Sequence, residues 1–176
     1  MEKTTRNQLK IAIVGPESSG KSTLCEQLSK ELNCECVPEF ARKHLTENPN
    51  YNQIDLDFML KQQLLAEKSY STPILICDTE AISFKVWSIY KYGSASEYVI
   101  EQSFAVDYDF YILLFPDLNY EEDPLRENSP LKNRKKLFAL FEKELKTAKC
   151  RYSVVKGKGK KRFENLIYIL QEQKVL

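Results

Sequence analysis

Short apolar runs recur along the chain, and each run stops at a polar or turn-forming residue. A continuous apolar run of this length is typical of a strand that is buried on both faces of a parallel sheet. The four clearest runs are Lys10–Val14, Ile74–Cys77, Phe110–Phe115 and Arg151–Val155. A weaker run at residues 34–37 ends at Pro38 and predicts a further strand.

Helical periodicity fills the intervals between these runs. Leu24, Leu28 and Leu32 recur every four residues, so a helix should pack one apolar stripe onto the sheet. Residues 55–69 contain no Gly or Pro and predict another helix, and residues 163–170 carry the stripe of a closing helix. The alternation predicts a single α/β domain over residues 1–176, with about five parallel strands and helices on both faces.

A polar segment interrupts this alternation at residues 118–134. It contains Pro124 and Pro130 and shows no regular apolar period. Such a segment is more typical of a lid over a binding site than of a packed element.

Composition and charge exclude several classes of protein. The 176 residues are 43% hydrophobic and 29% charged, which is typical of a globular domain. A formal net charge of +1 argues against a nucleic-acid or membrane partner. No leader precedes the first strand and no apolar stretch reaches about 18 residues, so we expect a cytoplasmic protein with five reduced cysteines. A homo-oligomer stays possible.

The strongest motif follows the first predicted strand. Gly15–Ser22 matches the phosphate-loop pattern G-x-x-x-x-G-K-[ST] in full, and a predicted helix follows it. Backbone N–H groups of such a loop point at phosphate oxygens, and Lys21 should reach the β and γ phosphates of ATP. The residues expected to contact the nucleotide are Gly15, Glu17, Ser18, Ser19, Gly20, Lys21, Ser22 and Thr23.

A magnesium ion is expected beside this loop. The Ser22 hydroxyl would bind Mg²⁺, and Asp78, which ends a predicted buried strand, is the obvious carboxylate ligand. The alternative for Asp78 is a cap at the end of a strand.

Among phosphate-loop proteins, the sequence best suits a small-molecule kinase. No Asn-Lys-x-Asp segment is present to read guanine, and the chain is short for a motor or clamp ATPase. A kinase needs a carboxylate that orients or deprotonates the acceptor hydroxyl. Glu39, with Arg42 one helical turn later, follows the second strand and could meet the acceptor, or it could be an exposed carboxylate at a helix start.

Two arginines in or beside the lid could cover the phosphates. Arg126 and Arg134 are the catalytic candidates, and Lys132 is a weaker one. The alternative is a solvated basic surface.

An aromatic run follows Asp78 and could bind a flat acceptor. Trp87, Tyr90 and Tyr92 are its members, although Phe84 in the same run favours an aromatic core stripe equally.

The basic stretch at residues 156–162 follows the last strand. We interpret its lysines as a solvated rim, and Gly157 as a residue that lets the backbone approach the adenine of ATP.

Several longer segments resemble one family over nearly the whole chain. The matching segments are Gly15–Leu24, Val37–Arg42, Ile76–Thr79, Lys85–Ser88 and Tyr90–Gly93. Together they resemble the ribosylnicotinamide kinase domain at the C-terminal end of the bifunctional NAD-salvage protein NadR.

That resemblance implies ATP-dependent phosphorylation of the 5′-hydroxyl of nicotinamide riboside, which gives nicotinamide mononucleotide. It implies that Asp78 and Glu39 hold or activate the ribose, in roles that could be exchanged, and that Trp87 with Tyr90 or Tyr92 faces the nicotinamide. Only a short polar segment precedes the first strand, so no adenylyltransferase domain is expected in this sequence. The alternatives are a kinase of another nucleoside or nucleotide, and a regulatory ATP-binding module.

Overall fold

Five parallel strands form one sheet at the centre of the molecule, in the order β2-β3-β1-β4-β5. Every neighbouring pair of strands is parallel. The strands are β1 (Leu9–Val14), β2 (Glu35–Val37), β3 (Ile74–Asp78), β4 (Phe110–Leu114) and β5 (Tyr152–Val155). The predicted parallel sheet is therefore confirmed, including its weak second strand.

The computed structural model describes residues 8–105, 108–127 and 130–176. Seven helices lie within these residues and connect or follow the strands. The helices are α1 (Lys21–Glu31), α2 (Phe40–Glu47), α3 (Gln53–Lys68), α4 (Ala81–Tyr92), α5 (Glu97–Phe104), α6 (Leu131–Thr147) and α7 (Gly159–Glu172). None of them is long and apolar enough to cross a membrane.

The central strand β1 divides the core into two layers. Ile11 and Ile13 belong to a cluster with residues of α1 and α7. Ala12 and Val14 belong to a second cluster with residues of α4 and α6. Because side chains alternate along a strand, this division confirms the predicted helices on both faces of the sheet.

The polar segment between β4 and α6 differs at one end from the prediction. Helix α6 begins at Leu131, so the last four residues of the predicted lid, Arg134 among them, form a helical turn. Residues 128–129 of the predicted lid lie outside the described residues. We use the name lid for residues 117–127.

All five cysteines are free thiols. Cys34 and Cys36 lie at the β2 edge of the sheet and do not pair with each other.

Candidate active site

The phosphate loop joins the end of β1 to the start of α1, as predicted. Gly15 has a φ of +146°, and a Cβ atom at this position would lie 2.9 Å from the carbonyl oxygen of Leu114. Gly20 has a φ of +84° and a Cβ there would come within 3.0 Å of Leu118. Both positions therefore require glycine, because any side chain would meet strain and a close neighbour.

Lys21 lies across the loop that precedes it. Its Nζ donates hydrogen bonds to the carbonyl oxygens of Gly15 at 3.0 Å and Pro16 at 3.1 Å. The ammonium group is thus held at the position where the loop would receive phosphates.

Ser22 and Asp78 are 56 residues apart in sequence but meet beside the loop. The Ser22 Oγ donates to Asp78 Oδ2 at 2.7 Å. The sheet explains this contact, because Asp78 ends β3 and pairs with Ile13 near the end of β1. Parallel strands bring their carboxyl ends to one edge of a sheet.

Asp78 has the features of a metal ligand. It is 3% exposed, and its Oδ1 has no hydrogen-bond partner among the described residues. Burial raises the pKa of this carboxyl, while the nearby Lys21 ammonium and the Ser22 hydroxyl lower it. An oxygen ligand that lacks a protein partner, beside a serine hydroxyl, suits a Mg²⁺ ion that keeps several waters and binds phosphate oxygens.

One cavity of about 260 Å³ extends from the phosphate loop to the aromatic residues of α4. Residues 15–23 of the loop line it without interruption. The other predicted site residues in its lining are Glu39, Arg42, Trp87, Tyr90 and Arg126. Asp78 lies behind this lining, where it contacts Ser22.

Glu39 lines the cavity near the charged groups of the phosphate loop and Asp78. It precedes α2 and is half-buried, and its side chain does not cap that helix. Burial raises the pKa of the Glu39 carboxyl and the nearby Asp78 raises it further, whereas Lys21 and Arg42 lower it. The carboxyl therefore holds a proton more readily than an exposed glutamate.

Arg42 ties α2 to the lid. Its guanidinium lies 2.8 Å from Asp123 Oδ2, and its side chain is half exposed. The lid also contacts the phosphate loop, because Ser18 Oγ accepts a hydrogen bond from the Glu121 N–H at 3.3 Å.

The two candidate lid arginines have different surroundings. Arg126 lines the cavity, and its guanidinium donates to the carbonyl oxygen of Glu121 at 2.7 Å. Arg134 is buried in the first turn of α6, where it donates to the carbonyl oxygen of Leu118. Arg134 is not among the residues that line the cavity, so its position suits support of the lid and not contact with phosphate.

Two of the three aromatic candidates line the cavity, and the third does not. Trp87 and Tyr90 line the cavity from α4. Tyr92 packs against the same apolar cluster as Trp87, but it is not in the cavity lining, and its hydroxyl donates to the Tyr51 carbonyl oxygen at 3.4 Å.

Gly157 lies outside the cavity lining. Its N–H donates to Asp117 Oδ2 at 2.7 Å, and its carbonyl oxygen accepts from Arg162. Its predicted approach to adenine stays a prediction.

Arg162 is a functional candidate that the sequence did not reveal. Its guanidinium is buried and donates to the carbonyl oxygens of Ser19 in the phosphate loop and Phe115 after β4. It also lies 2.6 Å from Asp117 Oδ1. Arg162, the last residue of a basic stretch that the sequence suggested was solvated, therefore holds the backbone of the phosphate loop through the Ser19 carbonyl oxygen.

Thr79, directly after Asp78, also lines the cavity. Its φ of +76° is unusual for a β-branched residue and costs about 1–3 kcal/mol. Strained residues of this kind cluster at functional sites, and the sequence contains no sign of this one.

Glu80 is the fully buried N-cap residue of α4. Its carboxylate accepts hydrogen bonds from the N–H groups of Ile82 at 2.7 Å and Ser83 at 3.0 Å. Burial nevertheless raises the pKa of Glu80 to about 7, against the lowering effect of these two donors.

Known proteins share this fold. A model of the AAA domain family matches residues 10–162. Among solved structures, NadR protein in complex with NR superposes with a TM-score of 0.74 at 18% identity, over 94% of this chain and 51% of that one. Thymidylate kinase from Candida albicans gives 0.69 at 16% identity, over 96% and 93% of the two chains.

A deoxyadenosine kinase from M. mycoides with bound dATP gives a TM-score of 0.61 at 19% identity, over 93% of this chain and all of that one. The chain spans about half the length of the NadR chains that it matches. At these identities the likeness shows a shared fold, so the predicted resemblance to NadR is confirmed at that level. The match over residues 10–162 also covers the phosphate loop and all five strands from residue 10 onwards, and we conclude that the chain belongs to the AAA domain family of phosphate-loop proteins, with the fold of nucleoside and nucleotide kinases.

Proposed function

We propose that this protein is an ATP-dependent kinase that phosphorylates the 5′-hydroxyl of a nucleoside, with nicotinamide riboside as the first candidate. One observation carries the proposal. The phosphate loop, Trp87 and Glu39 line the same cavity, and the Glu39 carboxyl interacts electrostatically with Lys21 and Asp78. A donor triphosphate and a flat acceptor could therefore occupy the same enclosed space.

The donor half would be held by groups already in position. The loop N–H groups and Lys21 would bind the phosphates of ATP, while Ser22 and Asp78 would hold Mg²⁺. A bound Mg²⁺ neutralises charge on the phosphate oxygens. Arg126, which lines the cavity from the lid, would add a further cation.

In phosphoryl transfer, the protein forms no covalent bond to the substrates and acts mainly by positioning them and stabilising charge. The acceptor oxygen forms a bond to the γ-phosphorus, and the bond from that phosphorus to the β,γ-bridging oxygen breaks, with its electron pair leaving on ADP. The hydroxyl proton passes to the Glu39 carboxylate. Burial raises the pKa of Glu39, which makes this carboxylate a better proton acceptor than an exposed one.

The acceptor half favours a flat and positively charged ring. Trp87 and Tyr90 supply aromatic surface, and Glu39 supplies a carboxylate in the same cavity. Nicotinamide riboside carries a cationic pyridinium ring, which is attracted to aromatic faces and to carboxylates. The family segments quoted above, which include Trp87 and Glu39, support the same acceptor.

Thermal unfolding with a panel of nucleosides tests this proposal. Each nucleoside is added with Mg²⁺ and a non-hydrolysable ATP analogue, and the same panel without the analogue is the control. A ligand at about a hundred times its Kd stabilises the native state by about 2.7 kcal/mol, so nicotinamide riboside should raise the melting temperature most.

A larger rise in melting temperature with deoxyadenosine or thymidine would identify a different acceptor and would leave the proposed kinase activity in place. The absence of any shift with any nucleoside, while the ATP analogue alone still stabilises the protein, would contradict the proposed acceptor site.

A further inference from the structure

Tyr51 lies in the connection between α2 and α3, and its hydroxyl joins three other side chains. It accepts hydrogen bonds from Trp87 Nε1 at 2.9 Å and from Lys91 Nζ at 2.6 Å. It donates to Glu127 Oε1 at 2.9 Å. One hydroxyl thus uses its donor and both acceptor positions.

The protonation of Tyr51 suits this arrangement. Burial raises the pKa of Tyr51 to about 12. The hydroxyl therefore keeps its proton near neutral pH and can donate it to the carboxylate of Glu127.

The ring of Tyr51 also contacts the indole of Trp87 directly. The ring centroids lie 5.2 Å apart and the planes meet at 69°, an edge-to-face arrangement. Phe84 lies near the same indole, with its centroid 6.0 Å away. The indole of Trp87 is thus held by two aromatic neighbours and one hydrogen bond, although Tyr51 is not part of the cavity lining.

Glu127 extends this arrangement to the lid and the phosphate loop. Its carboxylate lies 2.6 Å from Lys91 Nζ on α4. Its backbone N–H donates to Glu17 Oε1 in the phosphate loop at 3.1 Å. One lid residue therefore contacts the donor half through its backbone and the acceptor wall through its side chain.

We propose that Tyr51 is a positioning residue for the acceptor: its hydroxyl fixes the orientation of the Trp87 indole at the cavity wall and fastens that wall to Glu127 of the lid. This inference rests on the proposed function for the identity of the ligand that Trp87 meets. It assigns a role to a residue that touches neither substrate.

Tyr51→Phe is the sharpest variant, because it removes the hydroxyl and keeps the ring. Tyr98→Phe is the matched control, since Tyr98 packs on the same apolar cluster away from the cavity lining. Trp87 is the only tryptophan in the chain, so tryptophan emission, excited where tyrosine does not absorb, reports on this indole alone.

Two measurements together decide the proposal. In Tyr51→Phe, acrylamide should quench Trp87 emission more strongly than in the wild type, because the indole has lost its hydrogen bond. The KM for the nucleoside should rise by up to roughly tenfold, as expected for the loss of a partly buried hydrogen bond, with the KM for ATP within about twofold of the wild type. Tyr98→Phe should change neither quantity.

Unchanged quenching in Tyr51→Phe would overturn the proposal, and so would changed quenching with an unchanged nucleoside KM. If Tyr51→Phe does not fold, Glu127→Ala takes its place, because Glu127 is half exposed in the lid. The loss of its carboxylate should raise both the nucleoside KM and the quenching of Trp87 emission. If the wild type phosphorylates no nucleoside at all, the proposed function fails. The quenching comparison needs no substrate and still decides whether Tyr51 holds Trp87.

Discussion

The donor half and the acceptor half of the cavity are built in different ways. Nine consecutive residues, 15–23, cover the phosphate loop and the start of α1 and line the donor half, and two glycines determine the path of the loop. The acceptor half is assembled from side chains that are far apart in sequence: Trp87 and Glu127 line the cavity, and Tyr51, outside the lining, makes hydrogen bonds with both. Under the proposed function, a local motif determines where phosphate binds, whereas tertiary packing determines which acceptor receives it.

The largest expected effect is in the donor half. Lys21→Ala should lower turnover by roughly a thousandfold or more, because the variant loses the cation that covers the transferring phosphoryl group. The fold should survive, since Lys21 contacts backbone carbonyls at the cavity and not the core. A coupled kinase assay measures turnover, and circular dichroism with a melting curve provides the control.

Full activity in a folded Lys21→Ala protein would show that the phosphate site is assigned to the wrong residues. The donor half could then no longer be identified from its motif, and the comparison between the two halves would fail.

The two carboxylates near Lys21 should show a contrast. Glu39→Gln should lower turnover by roughly a hundredfold with nearly normal ATP and Mg²⁺ binding, because it removes the proton acceptor. Asp78→Asn should instead raise the Mg²⁺ concentration needed for half-maximal turnover, because it removes the charged ligand beside Ser22. Titrating Mg²⁺ and ATP against both variants measures the contrast.

The reverse pattern, a metal defect in Glu39→Gln and a pure turnover defect in Asp78→Asn, would exchange the two roles. It would leave the proposed kinase in place.

Substitution of Arg162 tests whether the donor half also depends on a residue outside the phosphate-loop motif. Arg162→Met should lower the free energy of unfolding by about 3–5 kcal/mol, because it leaves Asp117 and the carbonyl oxygens of Ser19 and Phe115 without their donor. The KM for ATP should rise more than the KM for the nucleoside. Denaturant unfolding and steady-state kinetics measure these changes.

Lys161→Met is the matched control, because it removes an exposed neighbouring charge from the same helix. Equal effects of the two substitutions would show that Arg162 acts through general charge and not through the phosphate loop.

The smallest expected effect concerns the start of α4, the helix that carries Trp87. The pKa of Glu80 is about 7 in the folded protein, above the ordinary value of 4.5. The folded state therefore binds the proton more tightly, and this contribution to stability is present at low pH and lost as the pH rises through about 7. The loss should be about 3 kcal/mol between about pH 4 and pH 8.

Glu80→Gln should remove this part of the pH dependence, and Glu101→Gln, an exposed substitution, should not. The measured quantity is the difference in unfolding free energy between wild type and variant across the pH range. That difference includes the coupling between Glu80 and Glu67, because the charge of the buried Glu67 is one of the causes that raise the pKa of Glu80.

The sequence predicted the sheet and the phosphate loop because both depend on local patterns. Continuous apolar runs gave the strands, and the glycine spacing gave the loop. Asp78 and Glu39 could be proposed because Asp78 ends β3 and Glu39 lies two residues after β2, and parallel strands end at one edge of the sheet.

The remaining residues carry no such local signal. Arg162 ends a run of lysines that reads as a solvated surface, and only the folded structure turns it towards the Ser19 carbonyl oxygen. Tyr51 precedes α3 by two residues and meets Trp87 through packing between helices that a single sequence does not specify. The end of the lid was misplaced for a related reason, because residues 131–134 are polar enough to resemble a loop yet form the first turn of α6.

Transfer of label from γ-labelled ATP tests the central claim most directly. The protein is incubated with Mg²⁺, the labelled ATP and one nucleoside at a time, and the products are separated. The account predicts that label appears in a nucleoside 5′-monophosphate, with nicotinamide riboside as the best acceptor, and that Lys21→Ala abolishes this transfer. Label that appears only as inorganic phosphate, at the same rate with every nucleoside and with none, would contradict it.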